Sequence, residues 1–89
     1  MPAAQESPAP TDADRPYHVR ALWDAGAEVW VATSDDVPGL VAEAATIEEL
    51  LDDLRSIIPD LLQLNAVPHT DRIEVSFIAE RIEAIEPAA

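Results

Sequence analysis

Cysteine and lysine are both absent from the 89 residues of this chain. Without cysteine there is no disulfide framework and no thiolate metal site, and a reducing compartment is the default expectation. Five arginines face 18 aspartates and glutamates, and the net charge is −13. Because nucleic-acid affinity depends on cationic contacts with phosphates, this charge disfavours direct binding of DNA or RNA. It favours encounter with a basic protein, although acidic surfaces also commonly serve solubility.

Long apolar runs are absent too. No stretch approaches the roughly 20 residues that cross a bilayer, and residues 1–8 have neither the basic start nor the apolar run of a signal peptide. We therefore expect a cytoplasmic protein without membrane contact. One domain of this size lies near the lower limit for a self-sufficient core, so association would add stability.

Residues for catalysis are scarce. His18 and His69 have no cysteine, serine or second histidine at a spacing typical of a ligand set or a triad. With only Gly26 and Gly39, the chain has no glycine-rich phosphate loop. The pair Asp35-Asp36 suits an acidic site, but its position before Val-Pro-Gly favours a turn. We expect no enzyme activity, no cofactor and no metal.

The two ends of the chain differ from its middle. Residues 1–15 combine prolines with small and polar residues and show no periodic apolar pattern, so we predict a disordered tail. Residues 16–82 are predicted to form one α+β domain, and residues 83–89 a frayed tail.

Two strands with period-two patterns open the domain. The first is predicted over residues 17–23 and the second over residues 28–33, which are rich in β-branched and aromatic side chains. Asp24-Ala25-Gly26-Ala27 separates them, and Gly26 is free to adopt a positive φ. The pair predicts a β-hairpin.

A turn, a short strand and a helix follow. Pro38 and Gly39 suit the two central positions of a type II turn, and residues 40–44 predict a third strand. Thr46 and Glu49 form a capping box that places the helix start at Ile47. The helix carries one apolar stripe at three- and four-residue spacing, formed by Ile47, Leu50, Leu51, Leu54, Ile57, Ile58, Leu61 and Leu62.

Pro59 lies inside this helical pattern and removes one backbone hydrogen bond, so we predict a kink or a break near Ile58. Alternation over residues 73–80 then predicts a fourth strand.

The resulting order, β-β-β-α-β, predicts an antiparallel three-stranded meander, one main helix packed on one face, and a fourth strand reached by a crossover. The helix is predicted to cover Val19, Ala21, Trp23, Val29, Val31, Ile73, Val75 and Phe77. The opposite face is predicted to carry His18, Arg20, Leu22, Trp30, Ala32, Glu74 and Ile78. This second face is too apolar to be exposed only to solvent, so we hypothesise that it, or an exposed strand edge, forms a homodimer.

The run of residues 28–50 resembles the N-terminal domain of HicB-type antitoxins. Those proteins combine an aromatic and aliphatic strand, an Asp-x-Pro-Gly turn, a short strand and a Thr-x-Glu-Glu sequence that opens a helix. Here the turn is Asp36-Val37-Pro38-Gly39, and Thr46-Ile47-Glu48-Glu49 opens the helix. The first and fourth strands extend the resemblance to about residues 17–80, and the chain is most similar to short single-domain relatives of undefined function.

The resemblance implies a degraded ribonuclease-H-like sheet with the fourth strand beside the first. It also implies a non-enzymatic antitoxin that masks a small basic mRNA-cleaving toxin and assembles as a homodimer or a higher oligomer. Full-length HicB-type antitoxins usually continue into an operator-binding segment. This chain stops soon after the fourth strand, so operator binding is not expected.

Five residues are candidates for contacts with a partner: Leu22, Trp30 and Ile78 through apolar surface, and Asp35 and Asp36 through charge. The two aspartates would meet cationic groups of a toxin. The alternative is a solitary homo-oligomeric module of unknown role that binds a small ligand or serves assembly. A neighbouring gene for a small basic protein would favour the antitoxin, and an isolated gene would favour the alternative.

Overall fold

The computed structural model describes residues 15–88, so the predictions for residues 1–14 and 89 lie outside the described part. Its elements are β1 (Tyr17–Asp24), β2 (Val29–Thr33), β3 (Val41–Ala44), α1 (Ile47–Leu64) and β4 (Val75–Glu80). The sheet order is β3-β2-β1-β4. β2 pairs antiparallel with both β1 and β3, whereas β4 pairs parallel with β1. The predicted α+β order and the crossover to the fourth strand are confirmed.

The start of α1 follows from its cap. The Oγ1 atom of Thr46 accepts a hydrogen bond from the backbone N–H of Glu49 at 3.1 Å, which is the first of the two bonds of a capping box. The predicted stripe is buried through four leucine and isoleucine side chains at four-residue spacing: Leu50, Leu54, Ile58 and Leu62. Between residues 15 and 88, no helix is long and apolar enough to cross a membrane.

Pro59 does not break the helix, so the predicted break is wrong, whereas the alternative of a kink near Ile58 stays a prediction. α1 runs continuously from Ile47 to Leu64 through Pro59. A proline inside a helix costs roughly 3 kcal/mol, but burying four aliphatic side chains at about 1.5–3 kcal/mol each outweighs that cost. Ile58 and Leu62 lie on either side of Pro59, so packing holds the helix on both sides.

The two turns differ in how well the sequence predicted them. Gly39 has φ 80°, and the N–H of Leu40 donates to the carbonyl of Val37 at 3.2 Å, as a type II turn requires. In the first hairpin the positive φ belongs to Glu28, at 59°, and not to Gly26. There the carboxylate of Asp24 accepts hydrogen bonds from the N–H groups of Gly26 and Ala27. These hydrogen bonds, and not a positive φ at Gly26, hold the loop in its turn.

This hairpin corrects the predicted faces of β2. Its four-residue loop pairs Trp23 with Trp30 and Ala21 with Ala32, so odd residues of β1 lie opposite even residues of β2. Directly paired residues share a face, and therefore Trp30 and Ala32 lie on the helix side. Val29 and Val31, predicted on that side, lie on the opposite one. Loop length fixes the register, and a shift of one residue reverses every side chain.

A row of alanines crosses the sheet under the helix. Ala42, Ala32 and Ala21 are paired neighbours on β3, β2 and β1, and all three are buried. Ala79 continues the row on β4, where it is exposed. Small side chains let α1 approach β2 and β3 closely.

The helix lies towards one side of the sheet, over β2 and β3. On β4 the helix-side residues Val75 and Phe77 are only partly covered: Val75 is exposed and Phe77 half-buried. A largely apolar cleft therefore separates α1 from β4. It is lined by Arg55 and by seven apolar residues: Leu51, Leu54, Ile58, Pro59, Ile73, Val75 and Phe77. This is called the α1–β4 cleft below.

Candidate functional site

The face of the sheet opposite α1 carries exposed aliphatic side chains, and it is called the open face below. Leu22 is 48% exposed, Ile78 60% and Val41 68%. Thr33 pairs with both Arg20 and Val41, and Arg20 pairs with Ile78, so one row crosses all four strands. Apolar groups thus occupy the ends of this row, with polar groups between them.

The next row of the open face has the same mixture. Leu22 lies between Val31 of β2 and Glu80 of β4. Glu80 accepts a hydrogen bond from the Arg20 guanidinium at 2.9 Å, so the central cation of the face is paired within the chain. The face is therefore amphipathic, and its remaining acidic groups lie towards its margins.

Ser34 organises an acidic corner at one end of the open face. Its hydroxyl donates to the carbonyl of His18 at 2.6 Å and accepts from the N–H groups of Asp36 and Val37. The Asp36 carboxylate accepts from the His18 backbone N–H at 2.7 Å and lies 3.0 Å from its Nδ1. Asp36 therefore ties the turn before β3 to the beginning of β1, while Asp35 beside it is exposed.

These contacts perturb the acidity of Asp36. The backbone hydrogen bond from His18 lowers the pKa of Asp36 below its ordinary value, and the bond to the His18 ring lowers it further. A carboxyl whose pKa is depressed by folding contributes stability above its unfolded pKa. That contribution is lost as the pH falls through its folded pKa.

Asp36→Asn should therefore destabilise the chain at neutral pH and lose that effect in acid. We expect a cost below about 1 kcal/mol, because the pair is exposed to solvent. The difference in unfolding free energy between wild type and variant should shrink as the pH falls through the folded pKa of Asp36. Denaturant unfolding across a pH series measures this difference.

His18→Ala provides the control for that assignment. It removes the ring but leaves the backbone N–H, so NMR titration should find the pKa of Asp36 only partly restored towards its ordinary value. A pH-independent difference between wild type and Asp36→Asn would contradict the role given to this carboxylate.

The structure brings together three of the five predicted contact residues. Asp35, Asp36 and Ile78 line one groove on the open face. Leu22 lies on the same face in the row after that of Ile78. Trp30 does not join them: it packs on the helix side, with its ring 5.3 Å from that of Trp23.

Sequence reasoning missed two members of this region. His18 and Ser34 line the groove and join its strands, although they lie 16 residues apart in the chain. The Ser-Asp-Asp-Val run carries a local signal for Ser34, because serine hydroxyls commonly accept from N–H groups two and three residues ahead. No local pattern signals the contact with His18. Within residues 15–88, no cluster of three or more side chains suits a metal ion.

Comparison with known proteins assigns the chain to a family. The domain of unknown function DUF1902 matches residues 16–87. The crystal structure of hypothetical protein TTHA1013 from the extremely thermophilic bacterium Thermus thermophilus is similar, with 49% identity and a TM-score of 0.71. The match covers 80% of this chain and 100% of that one. No curated protein matches the chain significantly. The chain belongs to the DUF1902 family.

Proposed function

We propose that this chain is a non-catalytic protein-interaction domain that acts as a HicB-like antitoxin towards a small basic mRNA-cleaving protein. The observation that carries the proposal is the open face, where exposed Leu22, Val41 and Ile78 lie beside the acidic pair Asp35-Asp36. Exposed apolar side chains on such a surface supply affinity, and charges beside them steer the partner.

The charge of the chain supports a basic partner. A net charge of −13 accelerates encounter with a cationic protein and suppresses encounter with RNA itself. A protein that cleaves RNA needs a cationic active site to hold phosphates, so an acidic surface is complementary to that site. Asp35 is the better placed carboxylate for such a contact, because Asp36 already binds His18.

The run of residues 28–50 supports the same class. It resembles the HicB-type N-terminal domain in its strand, its Pro38-Gly39 turn and its Thr46 cap. The position of β4 beside β1 agrees with the sheet that the resemblance implies.

Affinity capture tests the proposal. A tagged chain would be recovered from lysate of its own cells at moderate salt, and co-purifying small basic proteins would be identified by mass spectrometry. We expect a stoichiometric partner that high salt releases, that cleaves RNA when isolated, and that the chain inhibits at equimolar ratio.

Matched variants locate the contact. Leu22→Asp and Asp35→Ala should weaken capture, each by about tenfold or less, the effect of roughly 1.4 kcal/mol. Leu64→Asp and Asp53→Ala make the same chemical changes at exposed positions of α1 and should leave capture unchanged. A partner whose RNA cleavage the chain does not inhibit, or equal capture by all four variants, would refute the proposal.

A further inference from the structure

Residues 81–88 form an exposed C-terminal arm after β4, without helix or strand. Ile82 is 87% exposed and Ile85 84% exposed. The beginning of the arm is held in place, because the Arg81 guanidinium lies 4.3 Å from the centre of the Trp23 ring. Two large aliphatic side chains thus project from an anchored segment, with little apolar surface of their own chain to cover them.

The alternation of β4 assigns these two isoleucines to different faces. Val75 and Phe77 pair with the buried Tyr17 and Val19, so odd residues of β4 lie on the helix side. Arg81 keeps this alternation, because it contacts Trp23, which shares the helix side with Trp30. An extension of β4 through the arm would place Ile85 on the helix side and Ile82 on the open face, because side chains alternate along a strand.

β4 also offers a free backbone edge, since it ends the sheet order of the described residues. The carbonyl of Glu74 accepts from the N–H of Tyr17 at 2.8 Å and so points towards β1. Backbone groups alternate sides along a strand, and those of Val75, Phe77 and Ala79 therefore point away from β1. The six residues of β4 contain no proline or lysine, the usual protection of an edge strand.

The α1–β4 cleft lies on the helix side of this same edge. Its floor consists of Ile73, Val75 and Phe77, and its wall is formed by Leu51 and Ile58 of α1. The cleft is therefore an apolar gap adjoining an unpaired strand, and an aliphatic side chain carried in along that strand would fill it.

We infer that a second copy of this chain pairs with β4 antiparallel about a two-fold axis, and that each C-terminal arm completes the α1–β4 cleft of the other copy. Pairing centred near Ala79 places Ile85 beside Ile73 of the second copy, at the mouth of its cleft. It places Ile82 beside Ser76 of the second copy, on the open face. One symmetric contact thereby pairs both edges, covers Ile85 of each arm and gives Ile82 a neighbour on the open face.

The choice of a second copy rests on continuity and symmetry. The arm follows β4 directly. A strand that pairs antiparallel with the edge of β4 and has an extension of this kind would therefore bring that extension to the α1–β4 cleft. A second copy carries it in the required register and on the required face. Because both copies are strongly acidic, added salt should strengthen this association by screening their repulsion.

Sedimentation equilibrium over a concentration series tests the inference. We expect wild type to form a dimer whose dissociation constant falls as salt is raised. Ile85→Asp should raise that constant at least about tenfold, the usual effect of losing a buried anchor at an interface. Leu64→Asp makes the same change at an exposed site on α1 and should leave the constant unchanged.

Hydrogen exchange tests independently whether the outer edge of β4 is paired. The amides of Val75, Phe77 and Ala79 should exchange more slowly as protein concentration rises. A wild type that stays monomeric at every concentration would overturn the inference. So would a dimer that Leu22→Asp disrupts while Ile85→Asp leaves it intact, because that dimer would use the open face.

This inference does not depend on the proposed function, and the two respond oppositely to salt. Binding of a basic toxin weakens with salt, whereas pairing of two acidic copies strengthens. The Asp35→Ala variant separates them as well, since it should affect toxin capture and leave the dimer in place.

Discussion

Replacing Leu50 by alanine is expected to lower the free energy of unfolding by about 2–5 kcal/mol, the range for truncating a buried leucine. Leu50 lies in the first turn of α1, is 0% exposed and belongs to the central core. A chain of this length has a total stability of roughly 4–13 kcal/mol. The variant therefore loses a large share of its stability, and thermal unfolding followed by circular dichroism should register a clear drop in Tm.

Leu64→Ala is the matched control for that loss. Leu64 ends the same helix but is 79% exposed, so the same truncation should change the free energy of unfolding by no more than about 0.5 kcal/mol. Equal losses at the two positions would mean that α1 does not pack on the sheet through Leu50.

Ala32→Leu should destabilise the chain by about 1–3 kcal/mol, through overpacking. Ala32 is the middle of the buried alanine row, with Ala21 on one side and Ala42 on the other. The larger side chain has no space between these strands and α1, so the helix must shift away. Chemical denaturation measures the loss directly, and near-ultraviolet circular dichroism of Trp23 and Trp30 would report the altered packing.

Ala79→Leu makes the same change at the exposed end of this row, on β4. α1 does not cover that position, so we expect little change in stability when the chain is kept dilute enough to be monomeric. A destabilisation as large as that of Ala32→Leu would show that strand propensity, and not the close approach of α1, is responsible.

The candidate site could be predicted only in part. Leu22 and Ile78 follow from alternation along single strands, and the structure places both on the open face. Asp35 and Asp36 follow from their position before a turn. The contact between Asp36 and His18 joins residues 18 positions apart, and no local pattern encodes it. Trp30 was assigned to the wrong face because the register of the first hairpin depends on its loop geometry.

Local structure could be predicted from the order of the residues alone. Residues within a few positions of one another form the Thr46 cap, the turn at Gly39 and the apolar stripe of α1. Their patterns can therefore be recognised in the sequence without knowledge of the fold. Element order also followed, because strand and helix periodicities differ.

How those elements pack together depends on contacts between residues that are distant in the chain. Asp24 shapes the first hairpin and sets which residues of β2 face α1. Packing on the sheet keeps α1 continuous across Pro59, although proline disfavours the interior of a helix. The helix settles over β2 and β3, which leaves β4 and its cleft partly uncovered. These outcomes depend on contacts between distant residues, whose energies are comparable to the local preferences that they override.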